Sequence, residues 1–217
     1  MKRLLTLCAV LATAIFMMSC DKEKECKCVC DCNNEGETDE IEVINSSMKY
    51  GYLENWGIYY DDQPSDVNNW VVYLSVNDFD EEGWSDTGDL IMIELFSTSA
   101  DGLAAGKYTV EAFIADNYCN FSVGDGYVDE EEYCAGTWLF QDGYGVAAAL
   151  SGECNVKVTG DTYTITYDFS DDEYGIQFKG KYTGKLDVYD QTEGASYAAV
   201  KSPAPAKIKR QVSAARF

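Results

Sequence analysis

The sequence predicts an all-β fold: a single antiparallel β-sandwich or flattened β-barrel built from hairpins, with a flexible N-terminal tether and a C-terminal tail. Three observations carry this prediction. From Met48 onward, short apolar runs are broken by Gly, Asn and Asp at the spacing of turns in a β-domain. The stretch GIQFKGKYTGKLDVYD places Ile176, Phe178, Tyr182, Leu186 and Val188 on one parity, and Gln177, Lys179, Lys181, Thr183, Lys185 and Asp187 on the other. A strand buried on one face requires that period of two. No amphipathic helical pattern of convincing length and no repeat of fixed period competes with this reading.

Taken in order, the chain divides into a leader (1–19), an acidic cysteine-rich tether (20–47), a β-domain (48–190) and a basic tail (191–217). The leader opens with Lys2 and Arg3, and Leu4 to Met18 is an uncharged run. As a helix it would be roughly 22 Å long, short of the ~30 Å hydrocarbon core, so it reads as a secretory signal rather than a permanent span. The tether, with NNEGETDE, lacks apolar periodicity. Within the domain, WVVYLSV, LIMIELFS, KYTVEAFI and TWLFQD supply strands, several apolar on both parities and therefore read as central strands or strands covered on both sides. ECNVKVTGDTYTITYDF reads as a hairpin with Cys154, Val156 and Val158 on one face, Tyr163, Ile165, Tyr167 and Phe169 on one face of the return strand, and Gly160-Asp161 as its turn. Gly180 and Gly184 fall on the inward parity, where a missing side chain lets a long strand bend. The tail, with Pro203 and Pro205 and no apolar face, reads as disordered.

Residues 17–20, Met17-Met18-Ser19-Cys20, resemble a bacterial lipobox. Ser19 and Cys20 match the pattern, Met17 is a tolerated variant, and Met18 departs from it. The resemblance implies a diacylglyceryl group on Cys20 and cleavage before it, so that lipid on Cys20 holds the protein to a membrane without a spanning helix. The following DKEKE is similar to the acidic tether of surface-exported lipoproteins of the Bacteroidota, which implies an outer-membrane, cell-surface location. In the proteobacterial system Asp21 would instead imply retention at the inner membrane; the acid-rich run Asp21, Glu23, Glu25 favours the surface. In composition and hairpin pattern the remainder resembles β-rich surface lipoproteins of the same group, a likeness that implies no activity.

The net charge of −22 is unevenly placed. Two of the 16 basic residues lie in the leader and five in the tail, leaving nine in 20–200 against all 38 acids, a net of −29 for that span. Such a body repels phosphate backbones and excludes nucleic acid as a partner. The absence of histidine removes Ser-His-Asp and Cys-His nucleophile systems and the commonest zinc and haem ligand. No G-x-S-x-G elbow, phosphate loop or dinucleotide fingerprint occurs, so no cofactor is expected.

Two acidic stretches, the cysteines and the aromatics remain. DFDEEGWSDTGD resembles an EF-hand loop, with Asp78, Asp80, Glu82 and Gly83 in its first half and Asp89 at its twelfth place. Glu82 at the fifth place, the short Asp89 and flanking strands depart from that family, and a long acidic hairpin loop is the reading taken for it and for DGYVDEEE. Cys26, Cys28, Cys30 and Cys32 point the same way in an extended chain, with neighbouring Cα atoms ~6.6 Å apart. A bridge between neighbours would need a strained loop; bridges that skip one cysteine, interchain disulfides, unstructured thiols and a single metal site of soft thiolates stay open, with oxidation placed first because export favours it. Cys119 and Cys134 flank an acidic segment that a bridge between them would close, and Cys154 reads as a buried, inert thiol. Trp56, Tyr59, Tyr60, Trp70, Trp84 and Trp138 are the rings available for a sugar platform or for the core.

These features point to a lipid-anchored envelope lipoprotein whose domain is a non-enzymatic binding or structural module for a glycan or protein ligand. The alternative is a glycan hydrolase working through carboxylates. Two convergent carboxylates on a concave aromatic surface would favour the hydrolase. Closely packed rings and scattered acids would favour the module.

Overall fold

The structure, a computed structural model, describes residues 41–81, 83–111, 118–129 and 133–192. The leader, Cys20, the tract from Cys26 to Cys32, Glu82 and residues 193–217 of the tail lie outside the described residues. The first strands are β1 (Glu42–Ser47), β2 (Tyr50–Gly57), β3 (Asn68–Ser75), β4 (Asp89–Ser97), β5 (Gly106–Glu111), β6 (Ser122–Gly124) and β7 (Tyr127–Val128). They are followed by β8 (Cys134–Ala135), β9 (Trp138–Gln141), β10 (Tyr144–Ala148), β11 (Ser151–Thr159), β12 (Thr162–Asp171), β13 (Ile176–Gly184) and β14 (Asp187–Asp190). The fold is all-β. Among the described residues no helix is long and apolar enough to cross a membrane.

Twelve strands form one curled, mixed sheet with the path β1-β13-β12-β11-β5-β6-β4-β3-β2-β14; β9 joins it on β4, and β10 joins β9. β7 and β8 make a small second sheet. The pairs made through hairpins, β2–β3, β3–β4, β11–β12 and β12–β13, are antiparallel as the sequence predicts. Three pairs are parallel instead: β1 with β13, β5 with β6 and β14 with β2. Two of these have one origin. β1 leads into β2 and β13 leads into β14, so two chain stretches run side by side in the same direction at both ends of the path. The sheet thus curls into a half-barrel whose first and last strands belong to the same two stretches.

The inward parity of this sheet builds the main core, with Leu53, Val72, Ile93, Tyr108, Ile165 and Phe178 all buried. The alternation read from 175–190 holds through Ile176, Phe178, Tyr182 and Leu186, whereas Val188 on β14 is exposed. Gly160 opens the β11–β12 turn at φ +62, the left-handed value that the first central residue of a two-residue hairpin turn takes at little cost only as glycine. A Cβ on Gly180 would collide with the Ser46 carbonyl and the Tyr167 hydroxyl, so this glycine lets β1 lie close over β13. β3 and β4 are covered on both faces, the outer by a second cluster containing Tyr52, Tyr73, Trp84, Leu90, Trp138 and Phe140.

The domain boundary needs a correction. The first strand begins at Glu42, so residues 42–47, expected in the tether, belong to the sheet. The sequence EVINSS turns only Ile44 and Ser46 inward and has no apolar run. Its place is set by backbone pairing to β13 rather than by hydrophobic burial, and such pairing leaves no compositional trace.

Candidate functional site

The outer face of β2, β3 and β4 holds the groups of greatest chemical interest. Glu54 pairs with Val71, and Val71 with Glu94, so the two glutamates stand in one row across three strands. Two strand spacings separate their backbones by about 10 Å. Both are buried, Glu54 at 8% and Glu94 at 4% relative exposure. Asn69, two residues along β3 from Val71, shares the face.

Each carboxyl has its own fixed donors. Glu94 Oε1 accepts from the Tyr60 hydroxyl at 2.7 Å and from Asn69 Nδ2 at 2.7 Å. Its Oε2 has no hydrogen-bond partner and lies where a Cβ on Gly124 would be. Glu54 accepts from the Trp56 indole at 3.1 Å and from Gln191 Nε2 at 3.3 Å. Among the described residues the ion pairs are Lys107–Glu153 and Lys185–Asp161, both on the other side of the sheet path. With no cation beside them, burial pushes both carboxyls above the usual glutamate range; their hydrogen bonds pull back only part of that, and nearby Asp125 pushes Glu94 further. Burial favours the protonated form at both positions, and a protonated carboxyl is a donor as well as an acceptor.

A row of contacting rings links the two carboxyls, Trp56 donating to Glu54 and Tyr60 to Glu94. Trp56 meets Tyr59 edge-on at 5.3 Å between centroids, and Tyr59 meets Tyr60 in the same way at 4.9 Å. Tyr60 stacks on Tyr118 at 4.8 Å, and Phe96 tilts against Tyr118 at 5.1 Å. The β2–β3 loop that carries Tyr59 and Tyr60 is pinned by Gln63. Its buried amide donates to Gly57 O at 2.8 Å and Val67 O at 2.6 Å, while its Oε1 accepts from Tyr59 N and Tyr60 N. One side chain thereby satisfies four backbone groups. The loop presents Ile58 and Tyr59, the latter 46% exposed, on a fixed frame.

Of the six rings available for a sugar platform or for the core, the structure brings together Trp56, Tyr59 and Tyr60. Trp70 points to the opposite face and lies in the main core, its indole donating to Ser99 O at 3.1 Å. Trp84 and Trp138 pack in the second cluster, Trp138 donating to Ala135 O at 2.8 Å.

Among the described residues the EF-hand-like carboxylates, Asp78, Asp80 and Asp89, do not converge. Asp80 caps its own turn by accepting from Trp84 N at 2.9 Å, and Asp78 accepts from its neighbour Phe79 N. Asp89 faces Ser46 and Gln141, both of which donate to it. Among the described residues no group of three or more His, Cys, Asp or Glu is placed to hold a metal ion. In DGYVDEEE, Asp129 accepts from Tyr133 N at 2.8 Å within the β7–β8 hairpin. Cys154 is fully buried, and burial alone pushes its thiol far up, as expected of an inert thiol. Cys119 is exposed with a free thiol, so no bridge closes the segment it flanks with Cys134.

Glu54, Asn69 and Glu94 were not singled out by sequence reasoning. The available signal was a charged residue inside an apolar run, YLENW and IMIELF. A strand covered on both sides makes such a residue a buried one. Comparison of the chain with protein-family models, with curated proteins and with solved structures finds no match in any of the three.

Proposed function

We propose that this chain is a lipid-anchored lipoprotein of the outer membrane, facing the cell surface, whose β-domain is a non-enzymatic binding or structural module. The observation that carries the reading of the domain is the packing around Glu54 and Glu94. Each carboxyl is held by its own donors, among them Trp56 and Tyr60 at two points of a row of contacting rings, which suits a rigid scaffold better than a cleft where two carboxylates meet a substrate. The surface offered for recognition is the Gln63-pinned loop with Ile58 and Tyr59, because a ring presented on a fixed frame loses little entropy on binding. The anchoring half of the reading rests on Ser19-Cys20 after the apolar leader. Arrays of glycans and host proteins test the domain: the reading expects ligands whose binding weakens at least tenfold in Tyr59→Ala. Intact mass of membrane-extracted protein tests the anchor, which requires an acylated species starting at Cys20 and its loss in Cys20→Ala.

A second reading, a carboxylate-dependent glycan hydrolase, is favoured by one feature, the alignment on one sheet face of two buried glutamates whose carboxyls burial raises above the usual range. Acid and base carboxyls of an inverting glycosidase stand about 6.5–9.5 Å apart, a spacing that side chains on alternate strands can reach. Release of reducing sugar from a polysaccharide panel, abolished in both Glu54→Gln and Glu94→Gln, would establish this reading in place of the first.

A further inference from the structure

The chain leaves β14 at a defined place. Gln191 N donates to Asn55 O at 2.8 Å, Asp190 caps Thr192 N at 3.0 Å, and Thr192 packs over Gly57, where a Cβ would meet its methyl at 2.9 Å. Gly57 is also the base of the β2–β3 loop, its carbonyl held by Gln63. The segment that follows Thr192 therefore starts beside that loop.

The loop and the segment are opposite in charge. Asp61, Asp62 and Asp66 are exposed on the loop, and Asp190 is exposed at the exit. From Tyr50 to Gly106 the chain has no Lys or Arg, so nothing within that span compensates these acids. Residues 201–217 hold Lys201, Lys207, Lys209, Arg210 and Arg216 and no acid. Eight residues lie between Thr192 and Lys201, and a chain of that length spans up to ~30 Å, enough to return over the loop. Ile58 and Tyr59 add an exposed apolar edge, and a tyrosine face attracts Lys and Arg.

We propose that the basic segment 201–217 docks on the β2–β3 loop of its own chain, placing its Lys and Arg side chains against Asp61, Asp62 and Asp66 and covering Tyr59. A tether this short sets an effective concentration on the order of millimolar, which favours the contact over the same contact between molecules. The charges are solvent-exposed, so salt loosens the docking. The contact stands whether or not the loop surface also takes an outside ligand.

Zero-length carbodiimide coupling of the full chain, read by peptide mass spectrometry, tests this. Amide links from Lys201, Lys207 and Lys209 should concentrate on Asp61, Asp62 and Asp66. They should fall at least fivefold between about 0.05 and 0.5 M salt, where the screening length drops from above 10 Å to below 5 Å. In a mixture of isotopically light and heavy chains they should stay within one molecule. Asp61→Asn, Asp62→Asn and Asp66→Asn together should remove them while coupling of Lys107 to Glu153 persists. Links spread evenly over the acids of the domain, links mainly between light and heavy chains, or links unchanged by salt would each overturn the proposal, and the salt series needs no variant to fold.

Discussion

Two regions of one sheet are built on different rules. In β11, β12 and β13 one face is buried and the other meets water. Val156, Ile165 and Phe178 point inward, while Lys157, Thr166 and Lys179 alternate with them. In β2, β3 and β4 both faces are covered, and the second face carries Glu54, Asn69 and Glu94 among aromatic rings. In the first region the buried face is built mainly of apolar and aromatic side chains, with Asp171 at its end a buried polar exception. In the second, stability also depends on buried polar groups finding partners, which Gln63, Tyr60, Trp56 and Gln191 supply or satisfy, although Glu94 Oε2 is left without one. A one-sided region tolerates polar change on its outside. A two-sided region has no outside to spare.

The comparison predicts its largest effect in the inner core that both regions share. Phe169→Ala removes a fully buried ring from β12, one that packs on Phe178 at 5.7 Å between centroids. It should cost about 3–5 kcal/mol in urea unfolding. A cost below about 1 kcal/mol would mean that the half-barrel is not closed around a packed interior.

Next in size is a change to the covered face. Gly124→Ala drives a methyl group into the Glu94 carboxyl, whose Cδ stands 3.0 Å from the new Cβ, and should destabilise by about 1–3 kcal/mol. In a Glu94→Ala background most of that cost should vanish, because the clash is gone. The double-mutant cycle should therefore show a coupling of about 0.5–3 kcal/mol. Simple additivity would show that Gly124 and Glu94 do not compete for one space.

These two regions also differ in how far the sequence discloses them. The hairpin from Glu153 to Phe169, its Gly160-Asp161 turn and the inward parity of β13 are legible because water on one side forces polar residues to alternate with apolar ones. The strands β3 and β4 are legible as strands, and as doubly covered, from their unbroken apolar runs. What lies on the second face is not legible, because parity gives no sign of which side a Glu in such a run faces or what caps it. The partners of Glu94 come from residues 34 and 25 positions away, and Glu54 is met by Gln191 from the far end of the domain. Parallel contacts such as β1 with β13 are equally hidden, since they depend on chain stretches more than a hundred residues apart.

The pH dependence sharpens the same contrast. Burial raises the carboxyls of Glu54 and Glu94, and also that of Asp171, where β12 ends. A carboxyl whose folded value exceeds its unfolded value contributes fully below the unfolded value, near 4.5 for Glu, and loses that contribution as pH rises through the folded value. Stability should therefore fall as pH climbs above about 4.5, by about 1.4 kcal/mol for each unit of upward shift. Glu94→Gln keeps an acceptor for Tyr60 and Asn69 but cannot ionise, so its unfolding free energy should decline less between pH 5 and 8 than that of the unaltered chain. A parallel decline in both proteins would show that Glu94 ionises in the fold as readily as in the unfolded chain.

The smallest effect lies at the open end of the one-sided region, where parity alone overstates burial. Cys154, Val156 and Val158 share one face of β11, yet the first two are buried and Val158 is 38% exposed. The reason is position: β5 pairs with β11 only from Val156 to Glu153, so Val158 runs past the end of its neighbour toward the Gly160 turn. Val158→Ser should then change stability by no more than about 0.5 kcal/mol, whereas Val156→Ser, two residues back and packed in the main core, should cost several times that. The thiol next along that face reports the same gradient without a stability measurement. Cys154 is closed off by β5 and β12, so a thiol reagent should label it only at the rate at which the sheet opens, while exposed Cys119 reacts at once. Native-state labelling of Cys154 at the rate seen in denaturant, or a large cost at Val158, would show that β11 is not gripped most tightly at the level of Cys154.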